Sequence, residues 1–260
     1  NVFNVAIGKN AGFAITTGVQ NTIIGALAGD ALTDADLNVA VGYQALSADT
    51  KGSRNIAIGY SALFSQNFTS STNSFNTAVG DSAGQQVTTG VHNTFIGGLS
   101  GDATTTGGNN TAVGYNSLTA NTTASFNCAI GMESLRNTTT GTNNTAVGGY
   151  QALIVNTTGS DNTAVGRAAL AANTTGASNT AVGKDAGKAL TTAEQSCVVG
   201  AGAGLVLTGS KNTLIGADSG NAMTSGIKNT VLGRFNGNQE IDLRTASNRI
   251  VISDGDGNIG

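Results

Sequence analysis

The chain has 260 residues, of which 38 are glycine, none is proline or tryptophan, and 10% are charged. So much glycine and so few aromatics (5%) exclude a thick hydrophobic core, and a net charge of −3 argues against a basic nucleic-acid-binding surface. The most apolar run, Cys197 to Leu207, falls short of the roughly 18 residues of a membrane-crossing helix, so no membrane insertion is expected.

In chain order, a unit opening on Asn and closing on Gly begins at Asn4. It returns from Asn21 to Gly25, Asn38 to Gly42 and Asn55 to Gly59. Between the two stand Val, Ile or Thr, then a mostly small residue, then Val or Ile, which reads as a short alternating strand closed by a glycine corner. The rest of the unit, such as Tyr43-Gln44-Ala45-Leu46, reads as a second short strand, followed by a polar turn.

After Asn55 the step lengthens from 17 residues to 21. The extra residues fall between Phe64 and Phe75, a stretch that also holds Phe68 and the cluster Thr69-Ser70-Ser71-Thr72-Asn73-Ser74. A lengthened corner is where a repeat protein can carry recognition, and a local bulge packed by its own aromatics is the structural alternative.

The unit then returns at Asn76, Asn93, Asn110 (closing on Gly114), Asn127, Asn144, Asn162, Asn179, Asn212 and Asn229, with Ser196 standing in once. A period near 17 is too short for two helices, so the reading is all-β, a parallel β-solenoid or β-roll. It would have about 14 coils stacked about 4.8 Å apart, a rod of roughly 65 to 70 Å. Glycine supplies the corner, because only glycine takes positive φ without a Cβ clash. The recurring Asn either forms a hydrogen-bonded ladder or tolerates the turn conformation. Val and Ile kept in register argue against disorder.

Cys128 and Cys197 share the first strand position four coils apart, about 19 Å, beyond disulfide reach in one rod. They read as small buried hydrophobes, with a cross-subunit disulfide as the alternative. With His92 the one histidine, no transition-metal site and no cofactor is expected. Residues 1–233 form the repeat domain. Residues 234–260 read as a C-terminal cap or neck leading to a further domain, and the lack of an initiator Met suggests a segment of a longer chain. Asp254, Asp256 and Asn258 have the alternate spacing of a calcium loop, but Ile259 stands where that loop needs glycine.

Catalysis is not expected. Asp30 and Asp102 share a position four coils apart, and Asp185 and Asp218 share another two coils apart, near 10 Å, whereas paired glycosidase carboxylates sit about 5 to 9.5 Å apart. A polysaccharide-processing β-helix is thus one alternative, and an ice-binding solenoid is another. The latter rests on the Thr-Thr turns at Thr16, Thr88, Thr122, Thr138, Thr157, Thr174 and Thr191, although adjacent threonines in a strand face opposite ways. Tyr43, Tyr60, Tyr115 and Tyr150 all follow the corner glycine, Tyr150 after the inserted Gly149. With Phe64, Phe68 and Phe75 they are the candidate surface-recognition residues, for a host cell-surface glycan or protein receptor; an apolar seam between neighbouring chains or a plain exposed corner is the alternative reading of the tyrosine column.

Units such as Asn110-Thr111-Ala112-Val113-Gly114, followed by x-x-Ala/Ser-Leu, resemble the β-roll head repeats of trimeric autotransporter adhesins and, more closely, bacteriophage tail-fibre proteins and related bacterial surface fibres. The resemblance covers about residues 1 to 233. It implies a parallel homotrimer of left-handed β-rolls, extracellular, on a virion tail fibre or a bacterial surface, that extends and presents a binding site for host attachment or adhesion. Asn-Thr-Thr sequons at Asn121, Asn137, Asn156 and Asn173 fit a bacterial or viral origin better than a glycosylating one.

Overall fold

The computed structural model describes residues 3–237 and 241–258. It is an all-β parallel β-solenoid of about 14 turns with a repeat of about 17 residues. By its contacts the chain forms two compact units, Asn1–Asn127 and Cys128–Gly260.

In the first unit seven strands form one parallel ladder: β1 (Val5–Ile7), β2 (Thr22–Ile24), β3 (Val39–Val41), β5 (Ile56–Ile58), β7 (Thr77–Val79), β8 (Thr94–Ile96) and β9 (Thr111–Val113). A separate two-stranded pair joins β4 (Gly52–Ser53) of the Asn38 coil to β6 (Thr72–Asn73) of the 21-residue Asn55 coil. In the second unit the ladder runs through β10 (Cys128–Met132), β11 (Thr145–Tyr150), β12 (Thr163–Val165), β13 (Thr180–Val182), β14 (Cys197–Val199), β15 (Thr213–Ile215), β16 (Thr230–Leu232) and β17 (Ile250–Ile252). Register is strict, each Asn-following residue opposite its counterpart, as in Thr94↔Thr111 and Thr163↔Thr180.

The last rung lies inside the segment read as a cap. β17 pairs with β16, and the Arg249 amide donates to the Asn229 side chain at 3.0 Å, so Arg249 occupies the Asn register. Ile259 lies outside the described residues.

The second strand expected at Tyr43-Gln44-Ala45-Leu46 and its equivalents does not form; consecutive turns follow the corner there. In the Asn38 coil the corner Gly42 has φ 135°, and Gln44 and Leu46 follow at 56° and 54°. A left-handed leucine costs about 1 to 2 kcal/mol, and full burial of its side chain returns about 1.5 to 3 kcal/mol. Bonding to neighbouring coils survives the change of conformation: Gln44 N donates to Ala26 O at 3.1 Å, and Leu46 N to Ala62 O at 2.9 Å. At the corner, a Cβ on Gly97 would lie 2.6 Å from the Gly114 carbonyl oxygen, so the stacked coils leave no room for a side chain there.

Of the two readings of the repeating Asn, the structure takes the ladder. Asn38, Asn55, Asn93 and Asn110 are fully buried, and the residue with positive φ is the one before each Asn. Asn93 Nδ2 donates across the coil to Gly107 O at 2.9 Å, and its Oδ1 accepts from the Asn110 amide at 3.0 Å. Asn162 repeats both bonds, to Gly176 O at 2.8 Å and from the Asn179 amide at 3.0 Å. One side chain thus closes its own coil and ties it to the next. A shorter buried series stands across the bore, where Asn173 Nδ2 donates to Asn156 Oδ1 at 2.9 Å. Asn121, Asn156 and Asn173, each opening a sequon, are fully buried.

Candidate functional site

Successive strand residues point to opposite faces, so each three-residue strand sends its middle side chain in and its outer two out. The inward position is filled by small groups such as Ala40, Ala57, Ala78 and Ala112, all fully buried. In these coils the larger β-branched residues face outward; in others the inward position takes Ile23, Phe95, Val198 or Leu214.

Two outward columns result. At the first strand position stand Thr22, Thr77, Thr94 and Thr111 in one unit and Thr145, Thr163, Thr180 and Thr213 in the other. The third position is Val, Ile or Leu in every rung from Ile7 to Val113 and again from Ile130 to Ile252. Its members are half-buried or exposed: Ile58 is 37% exposed, Ile96 40% and Ile215 42%. Parallel register stacks them without a break, as in Ile24↔Val41, Val41↔Ile58 and Ile58↔Val79. Cys128 and Cys197 belong to the outward first position. They are half-exposed instead of buried, with the Cys128 thiol pushed up by the burial it does have.

The candidate recognition residues separate. Tyr43 and Tyr60 come together, ring centroids 5.6 Å apart at 19°. Tyr115 is exposed three coils beyond Tyr60, past Asp81 and Gly98, and Tyr150 is exposed in the second unit. Phe64 is half-buried. Phe68 is buried at 7% exposure and is not a surface residue. Its ring occupies the space that a Cβ on Gly52 would need, and its amide donates to Asp49 at 3.1 Å. Phe75 is exposed and stacks on His92 at 5.8 Å, with the Arg54 guanidinium 5.7 Å from its ring centre. Arg54 and His92 carry no motif and join Phe75 only because each precedes a repeat Asn.

The lengthened coil is organised from below by Asp49, which is fully buried. Its carboxylate accepts from Gln66 Nε2 at 2.6 Å and from the Gly52 amide at 3.0 Å, and Gln66 Oε1 in turn accepts from Asn76 Nδ2 at 2.8 Å. Desolvation pushes the Asp49 carboxyl above its ordinary 3.8, against the lowering effect of these bonds.

The other acids are engaged singly. Asp30 accepts from Ser47 Oγ at 2.6 Å. Burial raises Asp102 above the usual carboxylate range. Asp185 pairs with Arg167 and Lys188, both at 3.2 Å, and Asp218 with Arg234 at 3.8 Å, on either side of a 250 Å³ cleft at Gly202. Asp254 spends its carboxylate on its own turn, accepting from the amides of Asp256 and Asn258 at 2.9 Å, and the Asn258 side-chain bond lowers its pKa most. Among the described residues no group of three or more His, Cys, Asp or Glu is placed to hold a metal ion.

The first threonine of several Thr-Thr turns is engaged along the stack, whereas the second, such as Thr89, Thr123, Thr158 and Thr175, is exposed. Thr88 Oγ1 donates to Thr105 O at 3.2 Å, and Thr157 Oγ1 to Thr174 O at 3.1 Å. A further regular threonine rank is on the strand face. No protein-family model, curated protein or solved structure matches the chain.

Proposed function

We propose that this chain is a non-enzymatic segment of an extracellular fibre, on a virion tail or a bacterial surface, that works as a parallel homotrimer and holds a surface-binding site away from its base. The observation that carries the reading is the outward Val/Ile/Leu column. Monomers rarely keep a contiguous apolar strip of that extent in water. Its one-residue-per-coil period is matched only by a partner with the same coil rise, and a further copy of this chain is such a partner. Covering a half-exposed Val or Ile adds on the order of 1 kcal/mol per rung before association costs. A site for a host glycan or protein receptor, carried three times on one rod, raises avidity without new contacts.

Sedimentation equilibrium of the purified chain tests the reading. The expected mass is three times 25.7 kDa. Ile58→Lys with Ile96→Lys is expected to shift it to the monomer with the β-sheet signal unchanged; a monomeric parent chain overturns the proposal.

One observation favours a second reading. The Thr and Val/Ile columns form a regular outward array, with threonine at the first position of most rungs. On a monomer this array would be open to solvent as an ice-binding surface, and thermal hysteresis of the monomer is the measurement that would select it.

A further inference from the structure

Each rung of the outward face has two borders: the residue just before the Asn, always at positive φ, and the residue just after the corner glycine. We propose that these borders are the complementary edges through which copies of the chain recognise one another in register. The inference rests on the trimeric reading above and names what sets its alignment.

The symmetry argument comes first. Rotation about an axis parallel to the stack places equal coils at equal height and brings the leading border of one copy against the trailing border of the next. An antiparallel dimer does the opposite, setting like border on like border at unlike heights. The composition of the two borders therefore distinguishes the arrangements.

In the Asn162 coil the leading border is Asp161 and the trailing border is Arg167, both exposed, so a parallel in-register neighbour sets opposite charges together. In the Asn55 coil the pair is Arg54 and Tyr60, a cation facing an aromatic ring. In the Asn38 coil it is Leu37 and Tyr43, two exposed apolar side chains at the edge of the apolar strip. The Asn110 and Asn144 coils set Asn109 against Tyr115 and Asn143 against Tyr150, amide against phenol. One coil pairs like charges, Lys228 with Arg234, and there Asp218 engages Arg234 within the chain at 3.8 Å. An antiparallel pair with its dyad at this coil would instead oppose Asp161 to the Asp161 of the other copy and Arg167 to its Arg167. Border charges act on choice of partner and register more than on raw affinity, because a misplaced like charge costs more than a good rim pair returns.

The test is a charge-swap cycle on the full chain, read by sedimentation of the trimer over a dilution series. Asp161→Lys alone and Arg167→Asp alone are each expected to raise the dissociation constant at least tenfold. The double variant, which restores opposite charges between neighbours, is expected to return within threefold of the parent. Both side chains are exposed, so melting of the variants is expected to match the parent, and a lowered melting point in Arg167→Asp would report its bond to Asp185 and not the border. Asp185→Asn separates that effect, since it removes the internal bond and leaves the borders intact. Losses that simply add in the double variant, or single variants that dissociate like the parent, overturn the border proposal while the trimer stands. A monomeric parent overturns the trimeric reading instead.

Discussion

Two kinds of coil fill the same bore differently. In the Asn38 and Asn55 coils a left-handed, fully buried leucine, Leu46 or Leu63, stands four residues after the corner glycine, and three residues further on come the buried polar groups Asp49 and Gln66. In the Asn21 and Asn76 coils those positions are exchanged for Gly29 with Leu32 and Gly84 with Val87. The second unit repeats the contrast: Leu153 with Asn156 and Leu170 with Asn173, against Gly187 with Leu190 and Gly204 with Leu207. The inward strand residue follows suit. It is alanine in the leucine coils, and it reaches Ile23, Phe95, Val198 and Leu214 only in glycine coils. Interiors tolerate neither voids nor overlap, so a coil of fixed cross-section admits a limited number of large groups. Where leucine takes the left-handed site, the opposite wall is free for a hydrogen-bonding residue.

The largest expected effect breaks what both kinds of coil share. Asn93→Ala leaves the Gly107 carbonyl and the Asn110 amide without their buried partner. At about 1 to 3 kcal/mol per unsatisfied group the loss is about 4 kcal/mol, measurable by denaturant unfolding. An intact midpoint would mean that the ladder is incidental to the stack.

A smaller effect tests the exchange itself. Gly29→Leu puts two large groups in one coil. The new Cβ would lie 2.8 Å from Leu32 Cδ1, and overpacking of this kind costs about 1 to 3 kcal/mol. Adding Leu32→Asn moves the coil toward the leucine kind, with Ile23 still in place, and is expected to recover more than half of the loss. A double variant worse than either single would show that the two positions do not share one volume.

The smallest effect lies in the polar wall of a leucine coil and depends on pH. Burial raises Asp49 in the folded chain above its ordinary 3.8, so folding favours the protonated carboxyl. That contribution is fully present below the unfolded value and is lost as pH rises through the folded one, so stability declines with rising pH across that interval. The difference between the parent and Asp49→Asn isolates this group from Asp102, which shifts in the same direction. A difference independent of pH would place Asp49 in contact with water.

The repeat, its parallel stacking and the corner glycines were legible because each is written in the period. Other features were not. Tyr43-Gln44-Ala45-Leu46 has the alternation of a strand, yet Gln44 and Leu46 are left-handed, which no propensity anticipates for leucine. Alternation marks two faces in Thr-Ala-Val but does not say which is inside. The usual preference for burying the larger residue points the wrong way where the bore is narrow. Phe68 and Phe75 read alike as loop aromatics. One is drawn in over Gly52 beside Asp49, while the other stays out with Arg54 and His92.

The sequence by itself determined the architecture. A 17-residue period with Asn, alternating strand and Gly at constant offsets admits a stack of identical coils, because every coil must meet the hydrogen bonds of the next at the same place. The tertiary structure alone decided what each position faces. Inward or outward, ladder or turn, leucine or glycine wall are outcomes of a shared cross-section, and that volume exists only once one coil lies on another.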